Sequence, residues 1–254
     1  MTMSTVDFYD KMAPFYHLIF PQGFDASIER HGSAVDAIIR DNFGPSADTV
    51  LDVSCGIGTQ ALGLALLGYQ VTASDLSPKA VARAKQEASR RNLSIDFSVA
   101  DMREASTLHT RRFHIVLSAD NSVPHLLTDD DISAAFNSFY QCSKPGGGCI
   151  ITVRDYEKED TLNSNLFTYG LRNQDGMRYL VFQVRDPDGH FLDISMYFVE
   201  DDGSDTPKTH VMRGRYYAVT IPRLMQLLES AGFVDVARND GAYFQPVITG
   251  RRCH

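Results

Sequence analysis

What most limits the fold of this chain is a stretch from about residue 48 to 155 in which short apolar runs alternate with helix-patterned segments. Thr49-Val50-Leu51-Asp52-Val53 has the pattern of a buried strand and leads through a glycine turn into the apolar residues 61–67. Gln70–Asp75 reads as a second strand. Ser77-Pro78 then supplies an N-cap with proline at the first helical position, opening a helix to about Arg91. Residues 95–100 and Phe113–Ser118 are the third and fourth strands, and Asp129–Cys142 is helical. Pro145-Gly146-Gly147-Gly148 is expected to turn the chain into a fifth strand at 149–154. Such alternation implies a parallel sheet with helices on both faces. Sheets of that kind bind ligands beyond the carboxyl ends of their strands.

The rest of the chain reads differently. Strand-like runs at 178–185, 191–199 and 210–219 are separated by a hairpin signal, Asp186-Pro187-Asp188-Gly189, and by a loop opening at Glu200-Asp201-Asp202-Gly203. They predict a small antiparallel insert. An amphipathic helix at 221–231 opens with Thr220 and Pro222 and closes at Gly232, and two strands follow near 234–238 and 244–251. Residues 7–43 look largely helical and aromatic-rich. With no internal repeat and no linker-like segment, one domain over 1–254 is the simplest organisation. It divides into a helical cap (1–44), a cofactor-binding core (45–155), an antiparallel insert or lid (156–219) and a C-terminal helix with strands (220–254).

Charge and composition narrow the partners. Lys+Arg is 24 against 32 Asp+Glu, a formal charge of -8, whereas binding a phosphate backbone usually needs a basic face. The longest basic clusters are pairs such as Arg111-Arg112 and Arg251-Arg252, so no nucleic-acid partner is expected. Cysteines at 55, 142, 149 and 253 form no C-x-x-C pair, and the eight histidines show no H-x-x-x-H spacing, so no metal is expected. Few cysteines fit a reducing compartment. The N-terminus lacks the basic start and apolar run of a signal peptide, and no run of 18 apolar residues exists. The expectation is a cytoplasmic protein without a membrane partner.

The turn Asp52-Val53-Ser54-Cys55-Gly56-Ile57-Gly58-Thr59-Gln60-Ala61 is where chemistry first shows. Glycines at 56 and 58 leave room for a ligand to approach the backbone. Asp75 ends the second strand seventeen residues later, where a carboxylate can accept hydrogen bonds from both ribose hydroxyls of an adenosine. Gly56-x-Gly58-x-x-Ala61 also satisfies the relaxed dinucleotide fingerprint, which keeps an NAD-dependent dehydrogenase open, as it does a plain tight turn. Three further features discriminate. Val99-Ala100-Asp101-Met102 places an acid after the third strand, within reach of an adenine amino group. Ala119-Asp120-Asn121 follows the fourth strand. The late helix, ending in Ser230-Ala231-Gly232-Phe233, precedes two strands that suit a sheet finished by an antiparallel strand.

In this order the motifs resemble the class I S-adenosylmethionine-dependent methyltransferase family, over roughly residues 45–250. The resemblance implies an α/β, Rossmann-like fold: a mostly parallel seven-stranded sheet, a helical N-terminal cap and a small antiparallel β insert. It implies S-adenosyl-L-methionine as cofactor. The backbone of Ser54, Cys55 and Gly56 becomes the methionine-side contact and Asp75 the ribose ligand. Leu76 packs on adenine, Asp101 and Met102 flank its edge, and Ala119 with Asp120 closes the pocket floor. Leu76 and Met102 read equally as core residues.

Ala119-Asp120-Asn121-Ser122-Val123-Pro124-His125-Leu126, Val153-Arg154-Asp155-Tyr156 and Arg215-Tyr216-Tyr217 resemble segments of glycine/sarcosine N-methyltransferases. That resemblance implies Arg154 as the clamp for an acceptor carboxylate, with Asn121 and either Tyr216 or Tyr217 as acceptor contacts. A planar guanidinium grips a carboxylate with two parallel hydrogen bonds. His125 is the obvious neutral base close in sequence, or a structural histidine. The segment from Phe8 to His17 resembles the helix that covers the cofactor in such enzymes. Tyr9 and Tyr16 could face the sulfonium, and Arg30 the cofactor carboxylate. Arg154 could instead pair with Asp155 or Glu157, and Cys55 reads as small filler. Ile19 stands where an aromatic residue is expected, so glycine need not be the acceptor. The expected activity is methyl transfer to a small amine or amino-acid-like nitrogen. An O- or carboxyl-methyltransferase, or a non-catalytic cofactor-binding module, stays open. The lid at 160–209 sets the acceptor pocket but carries no motif, and the insert leaves a homo-oligomer open.

Overall fold

The computed structural model describes residues 4–159 and 161–253. Five strands, β1 (Thr49–Asp52), β2 (Gln70–Asp75), β3 (Asp96–Val99), β4 (Phe113–Ser118) and β5 (Ser143–Thr152), run parallel. The next four, β6 (Asn165–Gln174), β7 (Met177–Asp188), β8 (Phe191–Asp201) and β9 (Lys208–Tyr217), form a separate antiparallel sheet in sequential order. The chain then returns with β10 (Val234–Asn239) and β11 (Val247–Arg251), giving a seven-stranded sheet of order β10-β11-β5-β4-β1-β2-β3. β11 is antiparallel to both of its neighbours. The order reverses at β1, so the connections leaving the paired tips of β1 and β4 run to opposite faces of the sheet and open a crevice.

The helices follow the predicted pattern. They are α1 (Thr5–Met12), α2 (Phe24–Phe43), α3 (Thr59–Leu66), α4 (Pro78–Arg90), the short α5 (Ala105–Leu108), α6 (Asp129–Cys142) and α7 (Ile221–Ser230). Alternation along a strand sends successive side chains to opposite faces, and the core divides accordingly. Val50 packs with Ile28, Val35, Leu62 and Val81 from α2, α3 and α4. Its neighbour Leu51 joins Ile132, Phe136, Leu224 and Leu228 from α6 and α7 on the other side. α2 and α3 cross at two glycines. A Cβ on Gly32 would lie 2.6 Å from the Gly63 Cα, so the backbones touch directly.

Three differences from the sequence reading have physical causes. β6 was not anticipated, and it makes the insert four-stranded. Asp175 and Gly176, at φ 52° and 79°, join it to β7 in the two-residue turn that a right-twisted hairpin favours. The Pro145–Gly148 segment, expected as a turn, lies inside β5, where the register against β4 shifts between Phe113 and Ile115. Finally, residues 244–246 do not belong to the last strand but lead into it. Asp160, the expected start of the lid, lies outside the described residues. Among those described, no helix is long and apolar enough to cross a membrane, and no group of three or more His, Cys, Asp or Glu is placed to hold a metal.

The antiparallel sheet packs its inner face on α1. Phe8 and Met12 sit among Ile194, Met196, Phe198, Met212 and Tyr216. This holds α1 over the strand tips of the parallel sheet.

Candidate active site

A cavity of about 250 Å³ opens at the tips of β1, β2 and β3. Asp75 stands at its centre. Its carboxylate accepts from the Gly56 N–H and the Ser77 N–H, both at 2.8 Å. Burial raises its pKa, opposed by those two N–H donors. Each oxygen keeps a further lone pair for a ligand. Leu76 and Met102 supply apolar walls, and Ser54 and Gly56 the backbone side. Gly56 has φ 54°, and a Cβ there would lie 3.3 Å from the Tyr16 ring. The bare turn lets the Tyr16 ring pack directly against the Gly56 backbone at the edge of the slot. At the far rim Asp101 caps the turn after β3 by accepting from the Arg103 N–H, and it also grips the Arg103 guanidinium. Burial would raise its pKa, but Arg103 outweighs that and holds the carboxyl below the usual range. A diol acceptor between apolar faces, with a second carboxylate at the rim, fits an adenosine. Two expectations fail here. Cys55 and Ala119 are 3% and 4% exposed, packed in the core behind the wall. The Cys55 backbone N–H is already used by the Ser74 carbonyl, and burial pushes its thiol well up.

α1 roofs this slot. Tyr9 and Tyr16 line it and also line a second cavity of about 580 Å³, so they stand where the two meet. The Tyr9 hydroxyl bonds His125 Nε2 at 2.8 Å, and the His125 ring packs 4.5 Å from that of Tyr216. Burial lowers the His125 pKa to about 4, so the ring is neutral at physiological pH and a weak base. Against the ordinary value of 6.5, the folded chain binds fewer protons than the unfolded chain between about pH 6.5 and 4. The stability from His125 is thus intact above 6.5 and lost as pH falls toward 4. His125→Gln should flatten this acid limb in urea denaturation at pH 7.5 and 4.5. An unchanged acid loss in the variant would remove His125 as its source.

The larger cavity gathers Arg154 and Tyr216 with Arg30, His31, Asp120 and Tyr243. Asp120 and Asn121, at φ 58° and 67°, are consecutive left-handed residues at the tip of β4. Asn and Asp tolerate that region best among residues with a Cβ. The bend aims Asp120 into the cavity and Asn121 into the wall. Asn121 is 2% exposed and uses both ends of its amide. Nδ2 donates to the Tyr156 hydroxyl at 2.8 Å, and Oδ1 accepts the Arg154 N–H at 3.0 Å. It is a positioning residue for Arg154 rather than a lining contact, which corrects the expectation. Arg154 pairs with Glu159 at 3.9 Å, not with Asp155 or Glu157, since Asp155 is held by Arg238 and Lys158. The choice between the tyrosines is resolved by alternation. Tyr216 points in and is 7% exposed, whereas Tyr217 packs at a tilt against Phe191 and donates to Asp129 outside the cavity. Sequence reasoning missed His31, Gln60 and Tyr243. A buried histidine on an amphipathic helix and a tyrosine in a glycine-flanked loop carry no motif of their own.

A nucleoside-shaped slot opening into a second, largely aromatic chamber defines a nucleoside-dependent group-transfer enzyme. Comparisons with known proteins agree. Residues 50–147 match the family described as methyltransferase domain. A glycine/sarcosine N-methyltransferase of Parasynechococcus marenigrum is 29% identical over 135 residues, which cover 53% of this chain and 47% of that one, so the chain spans about half of that relative's length. In fold it is similar to DesVI of Streptomyces venezuelae, at a TM-score of 0.80 and 20% identity over 100% of both chains. It is similar too to CalS10 of Micromonospora echinaspora, an amino pentose methyltransferase solved with S-adenosylmethionine bound, at a TM-score of 0.76 and 18% identity over 89% of this chain and 91% of that one. Together these comparisons support a class I S-adenosylmethionine-dependent methyltransferase whose methyltransferase domain lies at residues 50–147. The dehydrogenase alternative falls with that assignment.

Proposed function

We propose that the protein methylates the nitrogen of a small amine bulkier than glycine, acting in the cytoplasm as a single domain. The observation that carries this is the larger cavity. At about 580 Å³ it has far more room than glycine needs, and it holds Arg154 and Tyr216 beside the tyrosines that border the nucleoside slot. An amine acceptor is also what the names of the glycine/sarcosine relative and of the amino pentose enzyme describe for those proteins.

When bound, S-adenosylmethionine supplies a methyl group on a sulfonium that leaves as a neutral thioether. The chain's own task is then alignment and protonation control. Holding reactants in attack geometry lowers a barrier by roughly 7–11 kcal/mol. Arg154 orients an anionic or hydrogen-bonding group of the acceptor, with its backbone fixed by Asn121. Tyr216 places a hydroxyl beside it, kept protonated because burial raises its pKa. The apolar walls, including Phe8, Met12 and Met196, disfavour an ammonium and so favour the neutral nucleophile. Tyr9 and Tyr16, both pushed well up by burial, remain neutral phenols whose electron-rich faces suit a nearby cation.

The test is release of S-adenosylhomocysteine across a panel of amines, amino acids, aminosugars and phenols. Amines should turn over; turnover confined to phenols would overturn the nitrogen assignment. With the amine so found, Arg154→Ala should raise the acceptor KM by about 10-fold or more, while S-adenosylhomocysteine affinity stays within a factor of two or so. An unchanged KM would dismiss the clamp.

A further inference from the structure

The wall of the larger cavity carries a polar cluster around Asp120 that this mechanism does not use. Asp120 Oδ1 accepts from the Tyr243 hydroxyl at 2.9 Å, and Oδ2 accepts from Gln60 Nε2 at 2.8 Å. Gln60 also donates to Tyr243 at 2.9 Å, which closes a three-membered network. His31, 3% exposed, places Nδ1 4.0 Å from Asp120 Oδ2 and Nε2 3.3 Å from Arg30 Nη2. Burial lowers the His31 pKa, so at neutral pH it is an uncharged spacer between a guanidinium and a carboxylate. Among the described residues, the donors that reach Asp120 are therefore neutral. A carboxylate in an apolar, aromatic chamber with neutral donors alone lacks the countercharge that offsets its desolvation.

We propose that Asp120, fixed by Tyr243 and Gln60, is the docking point for a primary ammonium group entering the larger cavity. The left-handed backbone of Asp120 is what turns its carboxylate into the chamber instead of continuing β4. Arg30 lies beyond His31 on the same wall, so an α-amino acid would meet a carboxylate at one end and a guanidinium at the other. Two ligands of this enzyme class present such an ammonium: the amino-acid end of the methyl donor, and an acceptor that carries a second amine apart from the neutral nitrogen that attacks. The acceptor branch rests on the amine reading above, whereas the donor branch stands without it.

Calorimetry on wild type, Asp120→Asn and Tyr243→Phe separates the branches, with S-adenosylhomocysteine and 5′-methylthioadenosine as probes. The second probe has the adenosine but no amino-acid end. Asparagine suits the left-handed backbone, so D120N keeps the turn, and its Tm checks this. If the donor supplies the ammonium, D120N should lose on the order of 10- to 100-fold in S-adenosylhomocysteine affinity and nothing in methylthioadenosine affinity. Y243F should move the same way by less. If the acceptor supplies it, both affinities stay unchanged and the KM of the amine that turns over rises by a similar factor. Equal loss for both probes, or no change in either affinity and in any amine KM, overturns the proposal.

Discussion

Replacing Asp75 with alanine should weaken S-adenosylhomocysteine binding by about 100-fold or more, and this is the largest effect on ligand affinity we expect. A carboxylate accepting from both hydroxyls of a ribose makes two charge-assisted hydrogen bonds, each worth about 1.5–3 kcal/mol. Their joint loss is on the order of 3–6 kcal/mol if nothing replaces them. The change also strips the Gly56 and Ser77 N–H groups of their acceptor. A fall in Tm of several degrees should therefore accompany it. Asp75→Asn separates the two effects, because its amide oxygen keeps one N–H satisfied while the charge is gone. Calorimetry with adenosine-containing ligands reads the binding, and adenine alone should bind both variants as it binds wild type. Affinity for S-adenosylhomocysteine within threefold of wild type in both variants would place the ribose elsewhere.

Gly63→Ala should be among the most damaging single methyls in the chain. In an exposed helix the change gains up to about 1 kcal/mol. Here the new Cβ would stand 2.7 Å from the Gly32 Cα and closer still to the Ile28 carbonyl oxygen. Both obstacles are backbone, so neither can rotate away, and α2 must separate from α3 along its 20 residues. Overpacking of this kind typically costs about 1–3 kcal/mol, and more where backbone is the obstacle. Because α2 carries Arg30 and His31, the shift also moves one wall of the larger cavity. Urea denaturation should show a lower midpoint with an unchanged slope. A higher midpoint would mean that helix propensity wins and that the crossing is looser than described.

Much of the parallel sheet was legible because its signals are local. The Phe113–Ser118 strand, the Ser77-Pro78 helix start and the Asp129–Cys142 helix were each read to their observed bounds. Each is a period or a cap visible within a few residues. The adenosine slot was legible for the same reason, since a strand-tip acid and a glycine turn lie close along the chain. What escaped is what depends on distant pairing. β6 is a mostly exposed edge strand whose partner supplies the pattern, though the Asp175-Gly176 turn announced it. Tyr216 and Tyr217 could not be told apart, because a strand sends neighbours to opposite faces and only the docked sheet fixes which face is inner. Asn121 carried a family resemblance to an acceptor contact, but the left-handed bend turns its amide into the wall. His31, Gln60 and Tyr243 come together from positions up to 212 residues apart, and no window of sequence holds them.

The two chambers also differ in ancestry within the chain. The nucleoside slot draws most of its wall from one interval, 53–131, with α1 as its roof. The larger chamber is assembled from α1 and α2 with the segment between them, the β4 and β5 tips, all four strands of the insert and the loop before β11. Grafting a foreign insert onto this scaffold would therefore leave donor recognition intact yet transplant only part of a selectivity filter. Redirecting the enzyme to a new acceptor is a task for coordinated changes at both ends of the polypeptide.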